Sequence, residues 1–293
     1  MTKKRNLYLD HNATTPISEE FIQKFSEFAS IWGNPSSIHW AGRKAKGMMS
    51  QVRNQFAELM GVNPLEVVFT SGGSESNNWV LRSVFEKFKG TDKNHYLISA
   101  VEHPSVIKTA EYLIELGARV DWIPVLRDGT LDLKFIEKHI GPQTALVSVM
   151  LANNETGVIH PLDEVVKIAQ AHQVLVHSDV VQAFGKISFN LKKLGVDYAS
   201  FSAHKFYALK GLGLLYIKKG SPLAPLILGG GQERKRRGGT ENLLGMASLG
   251  VMLEKLSEVS NHYEVLKNLR DHMEAQIQKK ISGVVVTGLM QKR

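Results

Sequence analysis

Seven short apolar runs, regularly interrupted by helical patterns, constrain this chain more than any other feature. The runs are Val67–Thr70, Tyr96–Ser99, Val120–Ile123, Leu146–Met150, Leu175–His177, Tyr198–Ser202 and Leu214–Ile217. Between several of them the spacing predicts helices over Ser74–Phe88, Pro104–Leu116 and Pro161–Ala171. Pro104 stands at the favoured first helical position and Gly117 at the stop. In the third helix Leu162, Val165, Val166 and Ala169 share one face. Strands that are apolar throughout are covered on both faces. Alternating with helices, they predict an α/β fold with a mostly parallel central sheet flanked by helices.

Ahead of this block, a short strand is expected at Leu7–Leu9, then the polar turn DHNATTP. A helix is expected from Ser18 to Ile31 with Ser18 as its N-cap, and a long one from Gly42 to Met60 closed by Gly61. Beyond Lys219 come a glycine-rich basic loop over residues 229–239 and an apolar helix over Asn242–Leu256. A further helix from about Tyr263 carries Leu266, Leu269, Met273 and Ile277 on one stripe, followed by a short strand at Val284–Thr287. A lone strand needs neighbours. The expected division is an N-terminal segment, 1–15, associated with a small domain, a large domain over 16–258, and the start of a smaller, incomplete α/β domain over 259–293. Without its remainder, the stripe at Leu266, Leu269 and Met273 should face water.

With 43% apolar and 22% charged residues, the composition is that of a soluble globular protein. No run of ~18 apolar residues occurs, so no membrane span is expected. The opening MTKKRNLYLDHN has charges but no apolar segment, which gives a cytoplasmic location as the expectation. There is no cysteine, which excludes disulfides, thiolate metal sites and a cysteine nucleophile within these residues; no metal site is expected. The net charge of +8 gathers in Lys3-Lys4-Arg5, Lys192-Lys193, Lys218-Lys219 and Arg234-Lys235-Arg236-Arg237. No nucleic-acid-binding motif accompanies these clusters, so no direct nucleic-acid partner is expected.

The chemistry-bearing residues fall at the ends of the predicted strands. Lys205 follows the run Tyr198–Ser202; buried there, its ammonium is costly, and a lysine that sheds its proton is a nucleophile for carbonyl compounds. Gly72 and Gly73 connect a strand to a helix starting at Ser74, an arrangement that favours an anion, commonly phosphate. Asp179 ends another strand and can balance a protonated ring nitrogen, with Gln182 three residues on. His103 stands before a helix, where an imidazole can stack on a ring or move protons. Asn154 can donate or accept without charge. Read singly, each has a plainer reading: a snorkelling lysine, a tight turn, a capping aspartate, a structural histidine. A parallel sheet would bring them to one edge. Together they describe a pyridoxal-phosphate site, with Lys205 as its Schiff-base lysine and Asp179 on the pyridine nitrogen.

At that point YLDHNATTP, GNPSSIHWAG, VVFTSGGSES, VEHPSV, ANNETGVIHP, HSDVVQAFGK, FSAHKFYALKGLG and GGGQERKRRGGTEN are recognisable. In order and spacing they resemble the motifs of the cysteine desulfurase family, class V, fold-type I pyridoxal-phosphate enzymes. The resemblance implies that Lys205 holds the cofactor and shuttles the α-proton, and that His103 stacks on the ring and assists proton transfer. It implies Asp179 at the ring nitrogen, Gln182 at the ring hydroxyl and Asn154 against the ring. Gly73, Ser74, Ser202 and His204 would cradle the phosphate. Thr240 would reach the phosphate of a second subunit, which implies a homodimer. The implied reaction takes sulfur from L-cysteine, leaving L-alanine, for iron–sulfur cluster assembly or tRNA thiolation. An iron–sulfur scaffold or sulfur-acceptor protein would be the partner.

Two departures stand out. The family's persulfide-forming cysteine and the arginine for the substrate carboxylate lie in a C-terminal region beyond Arg293, so the chain resembles a C-terminally truncated member. At Tyr207-Ala208-Leu209-Lys210 the family usually has glycine and proline. Other readings therefore stay open: another class V enzyme, such as a selenocysteine lyase or an aminotransferase-like protein, or a catalytically incomplete dimeric scaffold that binds iron–sulfur assembly partners.

Overall fold

The computed structural model describes residues 6–256, 259–288 and 291–293. All seven apolar runs are strands: β1 (Val67–Thr70), β2 (His95–Ser99), β3 (Arg119–Ile123), β4 (Thr144–Ser148), β5 (Leu175–Asp179), β6 (Tyr198–Ser202) and β7 (Gly213–Ile217). They form one sheet in the order β1-β7-β6-β5-β4-β2-β3. The pairs among β2 to β6 are parallel, while β7 runs antiparallel to both its neighbours. Connection length accounts for the exception. A parallel return needs a long crossover, whereas β6 reaches β7 through residues 203–212 alone.

The helices are α1 (Glu19–Gln23), α2 (Phe25–Ala29), α3 (Trp40–Met60), α4 (Gly73–Phe88), α5 (Pro104–Glu115) and α6 (Leu133–His139). They continue with α7 (Leu162–Ala171), α8 (Leu191–Leu194), the single turn α9 (Gln232–Lys235), α10 (Leu243–Leu253) and α11 (Val259–Lys280). Strand alternation splits the core between the two faces of the sheet. Val67, Phe69, Leu97, Leu214 and Tyr216 join the cluster that holds Val52 and Phe56 of α3 and Leu249 of α10. Val68, Tyr96, Ile98, Leu215 and Ile217 join Trp79, Val84 and Leu113 of α4 and α5. Among the described residues no helix is long and apolar enough to cross a membrane.

The two sheet edges are finished differently. β3 is partly exposed, while β1 is fully buried. On β1 the outward carbonyl of Val67 accepts from Arg53 Nη1 at 2.7 Å, and the outward N–H of Phe69 donates to Glu233 Oε2 at 3.2 Å. Arg53 and Glu233 also pair through two bonds of 2.7 Å. A buried ion pair thus satisfies backbone groups that a further strand would otherwise take. It also fixes the basic loop, in which Glu233, Arg234 and Lys235 all have left-handed φ (45°, 58° and 65°).

Several expectations are corrected. Leu7–Leu9 is exposed coil, since no strand lies beside it to complete a ladder. The helix expected from Ser18 to Ile31 is two short ones, broken at Lys24 (φ −93°, ψ 4°), and the Ser18 side chain makes no capping bond. The break lets Phe21 bury beside Ala247 and Val251 with Phe28 stacked on it. The fourth strand ends at Ser148 rather than Met150. Residues 284–287 form no strand. The helix α6 was not expected; Asp132 caps it by accepting from the Phe135 N–H. Lys3-Lys4-Arg5 and the 258/259 domain boundary involve residues 1–5 and 257–258, outside the described residues. As expected, Leu266, Leu269 and Met273 face water.

Candidate active site

The C-terminal ends of β1, β2, β4, β5 and β6 surround one cleft of about 500 Å³. This is where ligands bind in open α/β sheets. Nine of the residues singled out from sequence line it: Gly73, Ser74, His103, Asn154, Asp179, Gln182, Ser202, His204 and Lys205. Thr240 does not. It lines an adjoining cavity of about 130 Å³ that shares Ser71 and Gly211 with the cleft.

The end of the cleft at Gly73 is built by close backbone approach. α4 starts at Gly73, and the N–H groups of a helix's first turn have no acceptor within the helix. A Cβ on Gly73 would come within 2.9 Å of Val181 Cγ2, and one on Gly213 within 2.5 Å of the Gly72 Cα. Glycine at 213 lets β7 lie against the turn, and glycine at 73 lets the start of α4 lie against Val181, just past β5. Glu75 turns back to accept the Ser71 N–H at 3.1 Å and pairs with Arg237, which draws the basic loop against the same turn.

Asp179 is 4% exposed. Its Oδ1 accepts the Val181 N–H at 2.9 Å and its Oδ2 accepts from Asn77 Nδ2 at 2.7 Å. Burial pushes its carboxyl up from the ordinary range, against the pull of Asn77, Val181, His103 and Lys205. His103 is the N-cap of α5. Glu102, fully buried beside them, is pushed well above the usual carboxylate range, first by burial and then by the charge of Asp179.

Lys205 sits in a turn of 3-10 helix, Ala203–Lys205, directly after β6. Its Nζ donates to the carbonyls of Asn12 at 2.6 Å and Ala13 at 2.7 Å. Burial lowers its pKa from the usual lysine value, while Asp10 and Asp179 oppose the shift. The next turn is strained: Tyr207 has a left-handed φ of 68°, held by Thr15 Oγ1, which accepts its N–H at 2.6 Å. Thr14 Oγ1 also reaches His204 Nδ1 at 3.0 Å.

Three participants were missed from sequence. Asn12 is a hub: besides Lys205, its carbonyl accepts from Gln182 Nε2 at 3.0 Å, and its side chain meets the Asn154 carbonyl and Lys186 Nζ. Lys186 also donates to Gln182 Oε1; burial, and then the charge of Lys205, bring its pKa down to about 8. Asn77 lines the cleft floor. Asn12 and Lys186 belong to motifs already noticed, DHNATTP and HSDVVQAFGK, whose polarity was the available signal.

A family model described as aminotransferase class-V matches residues 7–293. The chain is 41% identical over 287 residues to the cysteine desulfurase IscS of Dictyoglomus turgidum, covering 97% of this chain and 73% of that protein. It is 38% identical over 308 residues to the selenocysteine lyase of Rattus norvegicus, covering 94% and 71%. A solved structure titled NifS-like protein superposes with a TM-score of 0.92 at 39% identity, covering 98% of this chain and 80% of that one.

Proposed function

The chain belongs to the class-V aminotransferase family, with the cysteine desulfurases, and from that membership we propose that Lys205 is the catalytic amine of a pyridoxal-phosphate enzyme acting on L-cysteine. When bound, pyridoxal phosphate supplies an electron sink conjugated with the amino group of an amino acid. The donor set of the cleft fits that group. A buried carboxylate calls for a cation opposite it, and the protonated ring nitrogen is one. The helix start beside Gly73 calls for an anion, and the phosphate is one.

On this reading Gly73, Ser74, Ser202 and His204 hold the phosphate. Asp179 faces the ring nitrogen, Asn154 and Gln182 the ring edge, and His103 the ring face. Lys205 Nζ, once neutral and free of the Asn12 and Ala13 carbonyls, takes and returns the α-proton of the amino acid. Lys186 holds the Gln182 amide. Thr240, outside the cleft, would serve the phosphate site of a second copy, which makes the enzyme a homodimer. The division at residue 16 and near residue 258 belongs to the same proposal. So do sulfur delivery to an iron–sulfur scaffold or a tRNA-thiolation acceptor.

L-Cysteine gives L-alanine and one sulfane sulfur, which must pass to a thiolate. The 293 residues hold no cysteine, so that thiolate lies outside them. This observation also favours a second reading, cleavage of L-selenocysteine, the reaction in the name of the rat relative. The juxtaposition of Lys205 and Asp179 in one cleft carries the proposal. The test is to load the protein with pyridoxal phosphate and supply L-cysteine or L-selenocysteine with a dithiol. Alanine and sulfide, or selenide, should form, and Lys205→Ala should abolish both the turnover and the cofactor's visible absorbance. Absorbance unchanged in Lys205→Ala would overturn the assignment.

A further inference from the structure

His103 carries more information than its place over the cleft. Its Nδ1 lies 3.1 Å from the backbone nitrogen of Ser105 and 2.7 Å from Ser105 Oγ. A backbone N–H can only donate, so Nδ1 presents its lone pair and the ring hydrogen of the neutral imidazole sits on Nε2. With Nδ1 fixed as acceptor, the Ser105 hydroxyl gives it its one hydrogen. Toward Asn77 Nδ2, 2.9 Å away, Ser105 Oγ can then only accept. The second hydrogen of Asn77 Nδ2 goes to Asp179 Oδ2 at 2.7 Å. One backbone N–H thus fixes every donor direction from His103 to Asp179.

The orientation of Asn77 comes at a cost that reveals what sets it. Asn77 is 1% exposed, and its Oδ1 has no partner among the described residues. A buried amide oxygen without a partner is destabilising. Turning the amide over would relieve nothing. Oδ1 would then face the Asp179 carboxylate, acceptor to acceptor, and a Ser105 hydroxyl whose hydrogen is already committed.

We propose that Asn77 and Ser105 are positioning residues that hold His103 as its Nε2-protonated tautomer and tie that state to the carboxylate of Asp179. The proposal rests on the cofactor site assigned above and says how its two sides communicate. The ring nitrogen left free, Nε2, offers a hydrogen to whatever lies in the cleft. To protonate at Nδ1, the imidazole would have to surrender both bonds from Ser105. His103 on this view is a hydrogen-bond donor at Nε2, kept so by the two bonds from Ser105, which Asn77 ties in turn to Asp179.

The test is nitrogen NMR of the full chain labelled with 15N-histidine, with and without pyridoxal phosphate, His103 being assigned by loss of its signals in His103→Gln. In the wild type, Nδ1 should show the unprotonated pattern and Nε2 the protonated one. Ser105→Ala, which keeps the backbone N–H and loses only the hydroxyl, should shift the Nδ1 signal toward that of a more weakly bonded lone pair, and Ser105→Thr, which keeps the hydroxyl, should restore it. Asn77→Leu should move the His103 signals as well as the visible absorbance of the loaded protein. If Asn77→Leu does not fold, the Ser105 pair decides alone. A protonated Nδ1 in the wild type, or Ser105→Ala signals identical to wild type, overturns the proposal. Because the spectra are taken also without cofactor, failure of the chain to bind pyridoxal phosphate would sink the site assignment and still leave the tautomer measured.

Discussion

Glu102 gives one oxygen to the Met150 N–H, and its other oxygen has no partner among the described residues. Its raised pKa means that the folded chain keeps a proton which an unfolded carboxyl, with a usual value of 4.5, releases. Between 4.5 and the raised value folding binds a proton, so stability falls as pH rises through that window. Asp179 shifts in the same direction and adds to the slope. Glu102→Gln keeps a carbonyl acceptor and cannot ionise. Urea midpoints measured from pH 5 to pH 8 should fall less steeply in the variant; an unchanged slope would contradict the assignment. His177 works the other way. It is bonded to Ser148 and Ser200 and held neutral by burial down to about 3, so it removes stability as pH falls below 6.5. These groups sit in motifs that sequence reading noticed, but the reading concerned their neighbours. Glu102 was one residue from His103, and nothing in its spacing says that its carboxyl points into the core.

At the scale of elements, α7 ends in a residue poorly suited to its place. Gln173 has a left-handed φ of 56° just past the helix, is exposed, and uses its N–H to cap the Gln170 carbonyl. Glycine is the residue usual there. Gln173→Gly should raise stability by about 1 kcal/mol, read as a shift in the thermal or urea midpoint. The strands other than β3 were legible because they are almost wholly buried on both faces, and continuous apolar runs follow from that. The helices α3, α4, α5 and α7 were legible from periodicity and from Pro104 and Gly61. The N-terminal segment was not. Leu7–Leu9 has strand composition and no partner, and the break at Lys24 answers to the packing of Phe21, a tertiary demand. The site was legible as a set of strand ends, since strand direction alone carries them to one edge. Asn12 was not, because its role depends on a contact across 193 residues to Lys205.

For the whole molecule, α11 sets the main liability. Leu266 is 61% exposed and Leu269 62%, with Met273 on the same stripe. Such a face favours association. Leu266→Lys with Leu269→Lys should lower the sedimentation-measured association of the 293-residue chain, and equal association in both forms would contradict this. The other control on association lies at the β1 edge of the sheet. Arg53 and Glu233 occupy the backbone groups of β1, so the sheet offers no open ladder there. Losing one partner of a buried pair costs about 3–5 kcal/mol. Glu233→Gln should therefore lower stability by an amount of that order, read in urea, and should free the basic loop that leads into Thr240. It should do something else as well. A bare β1 is a template, and what is now a sealed margin would become a place where one molecule's sheet can continue into the next, growing as a fibre rather than closing as a pair.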